Sequence, residues 1–271
     1  MFGRKKNASV ETTKETMLYK KLDFAATEAY KLLRTNLMFS LPDSDGCRVV
    51  GITSSVRGEG KSTTAANLSY ALAEAGKRVL LIDGDLRIPS IAKKLEINET
   101  PGLSNCLIAP ELLDSAIISM ECLDNWHVLP AGNIPPNPTE MLNSAQMQTT
   151  MKALSTKYDF ILMDLPPVNL VSDALVVSPL LDGMLLIVRE NFLERRELSK
   201  CVKRLELSNV KVLGFVFTVA SEQVGGYRGY KRNKYYKSYY KKHRHSNYSS
   251  YEYLKASSAA PVEEDAGNVN D

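Results

Sequence analysis

Short apolar runs alternate with longer amphipathic stretches along most of the chain. The runs are continuously apolar rather than alternating with polar residues, which is typical of strands that are covered on both faces of a sheet. They lie at 48–53, 78–83, 126–130, 159–164, 183–188 and 211–218. The stretches between them predict helices at 23–39, 61–75, 110–119, 139–156, 171–180 and 193–207. This order predicts an α/β fold, a doubly wound, mainly parallel sheet with helices on both faces.

The same pattern divides the chain into three parts. Residues 1–21 are polar and are expected to form a flexible N-terminal segment, whereas residues 22–220 are expected to form one domain. The apolar periodicity stops near Ser221, so residues 221–271 are predicted to be a disordered tail. No run approaches the roughly 18 apolar residues that cross a bilayer, and no secretory signal is apparent, which predicts a cytoplasmic protein.

The modest net charge of +3 conceals an uneven distribution along the chain. Residues 227–255 hold nine Lys and Arg against one acid, whereas residues 1–226 sum to −1. Nine of the 13 tyrosines lie in the same basic segment, namely Tyr227, Tyr230, Tyr235, Tyr236, Tyr239, Tyr240, Tyr248, Tyr251 and Tyr253. Composition alone leaves several roles open for this segment, among them a nonspecific tail, a nucleic-acid arm and a substrate.

A glycine-rich turn joins the strand at 48–53 to the helix at 61–75 and matches the phosphate-binding loop, except that Ser55 replaces its first glycine. Gly58 and Gly60 let successive N–H groups converge on phosphate oxygens. Lys61 is predicted to bridge the β- and γ-phosphates, and the Ser62 hydroxyl to ligate Mg²⁺. The residues expected to contact the nucleotide are Gly58, Glu59, Gly60, Lys61, Ser62, Thr63 and Arg87.

Acidic residues follow two further strands at the sheet edge where ligands bind. Asp83 and Asp85 end one strand, and Asp164 ends another. With Ser62, Asp83 and Asp164 are predicted to hold Mg²⁺, while Asp83 or its rival Asp85 accepts a proton from an attacking hydroxyl. Asp173 is expected to be a helix cap or an active-site acid.

Three segments, SSVRGEGKST, VLLIDGDLRIPS and ILMDLPP, resemble in order and spacing the Walker motifs of the bacterial protein-tyrosine kinases. The helix EAYKLLRTN is similar to that family's ExxRxxR oligomerisation motif, at Glu28, Lys31 and Arg34. The resemblance covers about 22–255 and implies a P-loop NTPase fold of the deviant Walker class. The DxDxR segment and the tyrosine cluster distinguish this pattern from Min/Par ATPases, whose signature lysine is replaced by Val56.

The resemblance implies an ATP- and Mg²⁺-dependent autokinase that phosphorylates tyrosines of its own tail or of a neighbouring subunit's tail. It further implies that the kinase regulates the polymerisation and export of capsular polysaccharide or exopolysaccharide. The implied partners are a ring-like homo-oligomer, a separate membrane polysaccharide co-polymerase that activates the kinase, and a cognate tyrosine phosphatase. Such a chain is cytoplasmic and recruited peripherally to the inner face of the plasma membrane, with no nucleic-acid partner expected.

Some residues depart from the family pattern or have a second interpretation. Lys31 replaces an arginine of ExxRxxR, which keeps the charge and loses bidentate geometry. Glu28, Lys31 and Arg34 also fit a solvated charged stripe. Thr218 stands where the family usually reads adenine with Asn, which leaves the choice between adenine and guanine open. The alternative functions are a Min/Par-type positioning ATPase and a polybasic module that binds nucleic acid or membrane.

Overall fold

The computed structural model describes residues 18–19, 22–41 and 46–219. Of the predicted N-terminal segment, Leu18 and Tyr19 are described, and the other residues lie outside these ranges. The predicted tail and all nine tyrosines of its cluster also lie outside it. No helix in the described ranges is both long enough and apolar enough to span a bilayer.

A seven-stranded sheet, ordered β3-β4-β2-β5-β1-β6-β7, forms the centre of the described residues. Every neighbouring pair is parallel except β3 and β4, which are antiparallel. This arrangement confirms the predicted mainly parallel sheet. The strands are β1 (Arg48–Ser54), β2 (Val79–Asp83), β3 (Ile118–Ser119), β4 (Trp126–Leu129), β5 (Phe160–Asp164), β6 (Gly183–Arg189) and β7 (Val212–Thr218).

Helices cover both faces of the sheet. Alternate residues of each central strand point to opposite faces, so each strand contributes to two hydrophobic cores. Val50 of β1 packs with Leu68 and Leu37 on one face, whereas Val49 packs with Leu154 and Cys201 on the other. The helices are α1 (Phe24–Ser40), α2 (Lys61–Glu74), α3 (Ile91–Leu95), α4 (Leu103–Ile108), α5 (Leu113–Ala116), α6 (Pro138–Leu142), α7 (Ala145–Ser155), α8 (Asp173–Val177) and α9 (Arg195–Leu207).

Several predicted helices are shorter than their sequence pattern suggests. The prediction of one helix over 139–156 was wrong: it breaks into α6 and α7, because Ser144 accepts a hydrogen bond from Met147 N and begins a new helix. The prediction of a helix over 110–119 was also wrong in its last part. The helix α5 ends at Ala116, and Ile118–Ser119 form the edge strand β3. Pro179 lies in a 3₁₀ turn that follows α8. The short helices α3 and α4 were missed.

Candidate active site

The phosphate loop lies between β1 and α2, where two glycines adopt backbone conformations closed to most side chains. Gly58 and Gly60 have φ angles of 84° and 95°. Gly60 caps α2 without a side-chain acceptor, so the first N–H groups of this 14-residue helix are not capped by a side chain. Those N–H groups and the helix dipole together favour an anion at this point.

The loop is braced by side chains from β6 and β7. The Thr218 hydroxyl donates to the carbonyl of Glu59 at 2.7 Å, and a Cβ added at Gly60 would lie 3.3 Å from Thr218 Cγ2. The Arg189 guanidinium donates to Gly58 O at 3.2 Å and lies 4.9 Å from the centre of the Phe192 ring. Thr218, which stands where the family usually has Asn, therefore supports the loop through its hydroxyl.

Glu59 is fully buried, and its carboxylate is turned into the loop. Glu59 Oε2 accepts from Val56 N at 2.8 Å, and Oε1 accepts from Arg189 N at 3.4 Å. Burial raises the pKa of Glu59 although these backbone donors oppose the shift. The side chain of Glu59 thus holds the loop in shape, and only its backbone remains for a phosphate contact.

Lys61 connects two strand ends at the centre of the site. Its Nζ lies 3.0 Å from Asp85 Oδ2 and 3.5 Å from Asp164 Oδ1. Burial would lower the pKa of Lys61, but Asp164 and Asp85 outweigh it and raise the pKa. Lys61 therefore stays protonated, and the structure brings together Lys61, Asp85 and Asp164 as the sequence predicted for this edge.

Asp83 is buried directly beside Asp164, with which it pairs in register across β2 and β5. Its Oδ2 accepts from the backbone N–H groups of Ser90 and Ile91, both at 2.9 Å, and its Oδ1 accepts from Asp85 N at 3.2 Å. Burial first, and then the charge of Asp164, raise the pKa of Asp83 to about 7. A carboxyl with such a pKa gains and loses a proton close to neutral pH.

Asp164 differs from Asp83 in its hydrogen bonding. It is fully buried, and within the described ranges neither of its oxygens accepts a hydrogen bond of good geometry. Burial raises the pKa of Asp164, although Lys61 and the Ser62 hydroxyl act in the opposite direction. A buried carboxylate with free lone pairs, close to Lys61, fits a hard cation or its water.

No group of three or more His, Cys, Asp and Glu side chains in the described part of the chain is arranged to hold a metal ion. Mg²⁺ prefers six oxygen ligands and commonly takes only one or two carboxylates together with phosphates and water. The donors present, Asp164 and the Ser62 hydroxyl, therefore fit a magnesium ion that is completed by nucleotide phosphates.

Arg87 reaches across the site to the loop after β5. Its Nε and Nη2 donate to the two oxygens of Asp173 at 2.7 and 3.0 Å, and Nη2 also donates to Thr139 Oγ1 at 2.8 Å. Thr139 Oγ1 donates in turn to Asp173 at 2.7 Å. Asp173 is the first residue of α8 and is fully buried, so it is an ion-pair partner, and the cap position belongs to Ser172.

Thr139 is a site residue that the sequence reasoning missed. It follows Pro138 at the start of α6, and that pattern signals only a helix N-terminus. Arg189 and Phe192 were missed as well, because no sequence motif marks the end of β6. Arg189 and Phe192 lie beside the phosphate loop, and Thr139 lies beside Arg87. The order of the strands brings these residues together, although they are far apart in the sequence.

The predicted oligomerisation residues lie on α1, on two different sides of the helix. Glu28 and Lys31 form a surface ion pair at 2.9 Å. Arg34 instead donates to the carbonyl of Ala71 in α2 at 2.7 Å, so it docks α1 on the same chain. The face that carries Glu28 also exposes Phe24, Leu32 and Phe39.

Comparison with known proteins gives matches over most of the chain. Residues 47–213 match the AAA domain family. The chain is 35% identical over 212 residues to the tyrosine-protein kinase YwqD of Bacillus subtilis, which covers 76% of this chain and 88% of YwqD. Among solved structures, the chimerical protein CapA2B2 matches with a TM-score of 0.67 and 36% identity, over 70% of this chain and 83% of that one. The kinase domain of the Escherichia coli tyrosine kinase ETK matches with a TM-score of 0.68 and 29% identity, over 76% and 81%.

Proposed function

Because this chain belongs to the family of bacterial tyrosine-protein kinases, we propose that it transfers the γ-phosphate of Mg-ATP to tyrosines of its own 227–253 cluster. The observation that carries this proposal is Lys61, buried between Asp85 and Asp164 at the uncapped start of α2. A cation held between two carboxylates is suited to a phosphate that arrives with its own metal ion.

The chain's own residues supply binding, orientation and proton transfer. Backbone N–H groups of Gly58 to Thr63 hold the phosphates, and Lys61 moves from the carboxylates to the β- and γ-oxygens. Ser62 and Asp164 would hold Mg²⁺, which would supply positive charge to offset the charge that develops on the phosphoryl group. Asp83 is the proposed base for the tyrosine hydroxyl, because its pKa of about 7 matches neutral conditions. Asp85 is its rival, although its Oδ2 already accepts from Lys61.

The test is incubation of the full chain with γ-labelled ATP and Mg²⁺, followed by mass-spectrometric mapping of phosphotyrosine. We expect phosphate on several tyrosines of the 227–253 cluster. Replacement of all nine by Phe should remove the label, and Lys61→Met should remove it as well. Lys152→Met, an exposed lysine of α7, is the matched control. Release of inorganic phosphate without any phosphotyrosine would support a positioning ATPase and refute the kinase proposal.

The wider role is proposed on the same basis. The kinase would regulate capsular polysaccharide or exopolysaccharide production, activated by a separate membrane co-polymerase and reversed by a tyrosine phosphatase. The outward apolar residues Phe24, Leu32 and Phe39 beside the Glu28–Lys31 pair support α1 as a contact between subunits of a ring. Recruitment by the co-polymerase would place the chain at the inner face of the plasma membrane. Native mass spectrometry of Leu32→Glu tests the ring: the mutant should be monomeric.

A further inference from the structure

One edge of the sheet exposes several large apolar side chains. Among the described residues, β7 pairs only with β6, so it is the edge strand at this end of the order. Phe215 and Phe217 lie two residues apart and therefore on the same face of β7. They are 48% and 62% exposed, and Val219, just beyond the strand, is 71% exposed. Such neighbouring exposed apolar groups on a soluble fold are typical of a surface that contacts something else.

The helix next to these side chains is strongly basic on its outer side. α9 buries Cys201 and Leu205 against the sheet. Four cations of α9 are exposed on the opposite side, namely Arg195, Arg196, Lys200 and Lys203. Glu206 is the exposed acid within this helix, since Glu197 is partly buried and accepts a hydrogen bond from Asn169. The outer side of α9 thus has a clear positive balance.

A groove joins the basic helix to the aromatic edge strand. It has a volume of about 560 Å³ and is lined by Arg195, Ser199 and Lys203 on one side and by Phe215 on the other. Leu198, Val202 and the acid Glu206 line it as well. Arg195 and Lys203 therefore border the same groove as the Phe215 ring.

We propose that this α9–β7 face, defined by the four exposed cations of α9 with Phe215 and Phe217, binds directly to the surface of an anionic phospholipid bilayer. Cations attract phosphate headgroups, and aromatic rings partition into the region just below the headgroups. Each cation near such a surface increases binding about fivefold. This direct contact is separate from recruitment through a partner protein.

Charge complementarity selects the membrane over the chain's own tail as the occupant. Residues 227–255 carry a net +8, the same sign as the outer side of α9, so the unmodified tail is repelled from this face. The tail follows β7 in the sequence, and its charge would add to the attraction for an anionic surface. A second copy that paired through the same face would likewise present its own cations to it.

The test is co-sedimentation of the full chain, dephosphorylated beforehand, with vesicles of phosphatidylcholine containing about 30% phosphatidylglycerol. The double variant Lys200→Glu/Lys203→Glu should bind at least tenfold more weakly than the unmodified chain. Lys152→Glu on α7 is the control for net charge and should change binding less than twofold. Equal binding by the double variant and the control would mean that the tail alone contacts the vesicles, which would overturn the proposal.

A second measurement does not depend on charge. The tryptophan fluorescence of the Phe217→Trp variant should be quenched by brominated lipid in the anionic vesicles. That of the Ile108→Trp variant, in which the substituted position is exposed at the end of α4, should not be quenched. Circular dichroism melts confirm that each variant is folded. Absence of quenching at Phe217→Trp would refute insertion of the edge strand. Phe217-dependent self-association in the absence of vesicles, measured by light scattering, would assign the face to a second copy and overturn the proposal.

Discussion

The ends of β2 and β5 lie side by side, and each carries a buried aspartate, yet the two side chains have opposite surroundings. Asp83 at the end of β2 accepts three backbone hydrogen bonds, two of them from the loop that leads into α3. Asp164 at the end of β5 accepts none of good geometry in the described part of the chain and has Lys61 at 3.5 Å. The β2 end is therefore fixed by its own backbone, whereas the β5 end retains free lone pairs.

The sequence predicted both residues as Mg²⁺ ligands, and Asp83 or its rival Asp85 as the proton acceptor. The difference in hydrogen bonding favours one task for each residue. A carboxylate whose orientation is fixed by backbone donors is suited to receive a proton from one direction. A buried carboxylate with unused lone pairs is suited to a cation or its water. Substitutions at the two positions should therefore differ in their effects on phosphotyrosine formation and on stability.

The largest effect is expected for Asp164→Asn. Loss of the charge that faces the proposed cation should lower phosphotyrosine formation by about 10³-fold. The thermal midpoint of the nucleotide-free protein should not fall, because the remaining Asp83 and Asp85 still compensate Lys61. Radiolabel transfer and differential scanning calorimetry give the two readouts. A lower midpoint together with full activity would show that Asp164 is a structural residue only.

Asp83→Asn should lower phosphotyrosine formation by about 10²-fold, the lower end of what a general base contributes. Nucleotide affinity, measured by isothermal titration, should change little, because Lys61 retains Asp85 as its partner. Asp85→Asn is the paired variant for this experiment. If Asp85→Asn loses the greater share of kcat and Asp83→Asn keeps it, the proton goes to Asp85.

The pH dependence of stability gives a test of the raised pKa at the β2 end. The pKa of Asp83 is about 7 in the folded chain and about 4 in an unfolded one. Between these values the folded protein holds a proton that the unfolded chain has released, so stability falls as pH rises from about 4 to 7 and then levels. Denaturant titrations of metal-free protein from pH 4.5 to 8 measure this slope. Asp83→Asn should make it shallower, and an unchanged slope would contradict the assignment.

Arg87 pairs with Asp173 at the start of α8, and Arg87→Lys tests this ion pair, with a smaller expected effect. Lysine keeps the charge but cannot reproduce the bidentate contact with buried Asp173, so the free energy of unfolding should fall by about 1–2 kcal/mol. Arg78→Lys is the matched control, because the Arg78–Asp159 pair is largely exposed and its loss should lower the free energy of unfolding less than Arg87→Lys does. Urea titrations measure both. Equal losses would mean that burial of Asp173 does not strengthen the pair.

The smallest effect is expected for Thr139→Val, which removes a hydroxyl that bonds both Arg87 and Asp173. We expect a loss of about 1 kcal/mol in the free energy of unfolding. The double variant Thr139→Val/Arg87→Lys should lose less than the sum of the single variants, since both remove parts of one network. Strict additivity in urea titrations would show that the two contacts are independent.

The sheet and the phosphate loop could be predicted from the sequence because their signals are local. Continuous apolar runs revealed the six longer strands, and the spacing from Ser55 to Ser62 revealed the loop. The family suggested by these motifs is confirmed. The two-residue strand β3 gave no such signal, because two residues are too few to show a period.

The remaining features of the site depend on the order of strands, which no local pattern encodes. The contact between Arg87 and Asp173 spans 86 positions, and the contact between Thr218 and Glu59 spans 159. The hydrogen bonds that distinguish Asp83 from Asp164 arise from the path of the loop before α3. Sequence spacing could place these aspartates at one edge, but it could not show which of them has free oxygens.

The hydrogen bond from Thr218 to Glu59 anchors the root of the tail at the phosphate loop itself. Tyr227 lies nine positions after Thr218, a maximum reach of about 30 Å, and Tyr253 lies 35 positions after it, at most about 120 Å. Confinement within those radii gives each tyrosine an effective concentration between about 0.2 mM and the order of 10 mM at the loop. Dilution of the protein does not change these values. Under the proposed function, a kinase supplied in this way would select its substrate by covalent attachment and would have little need to read the residues around each tyrosine.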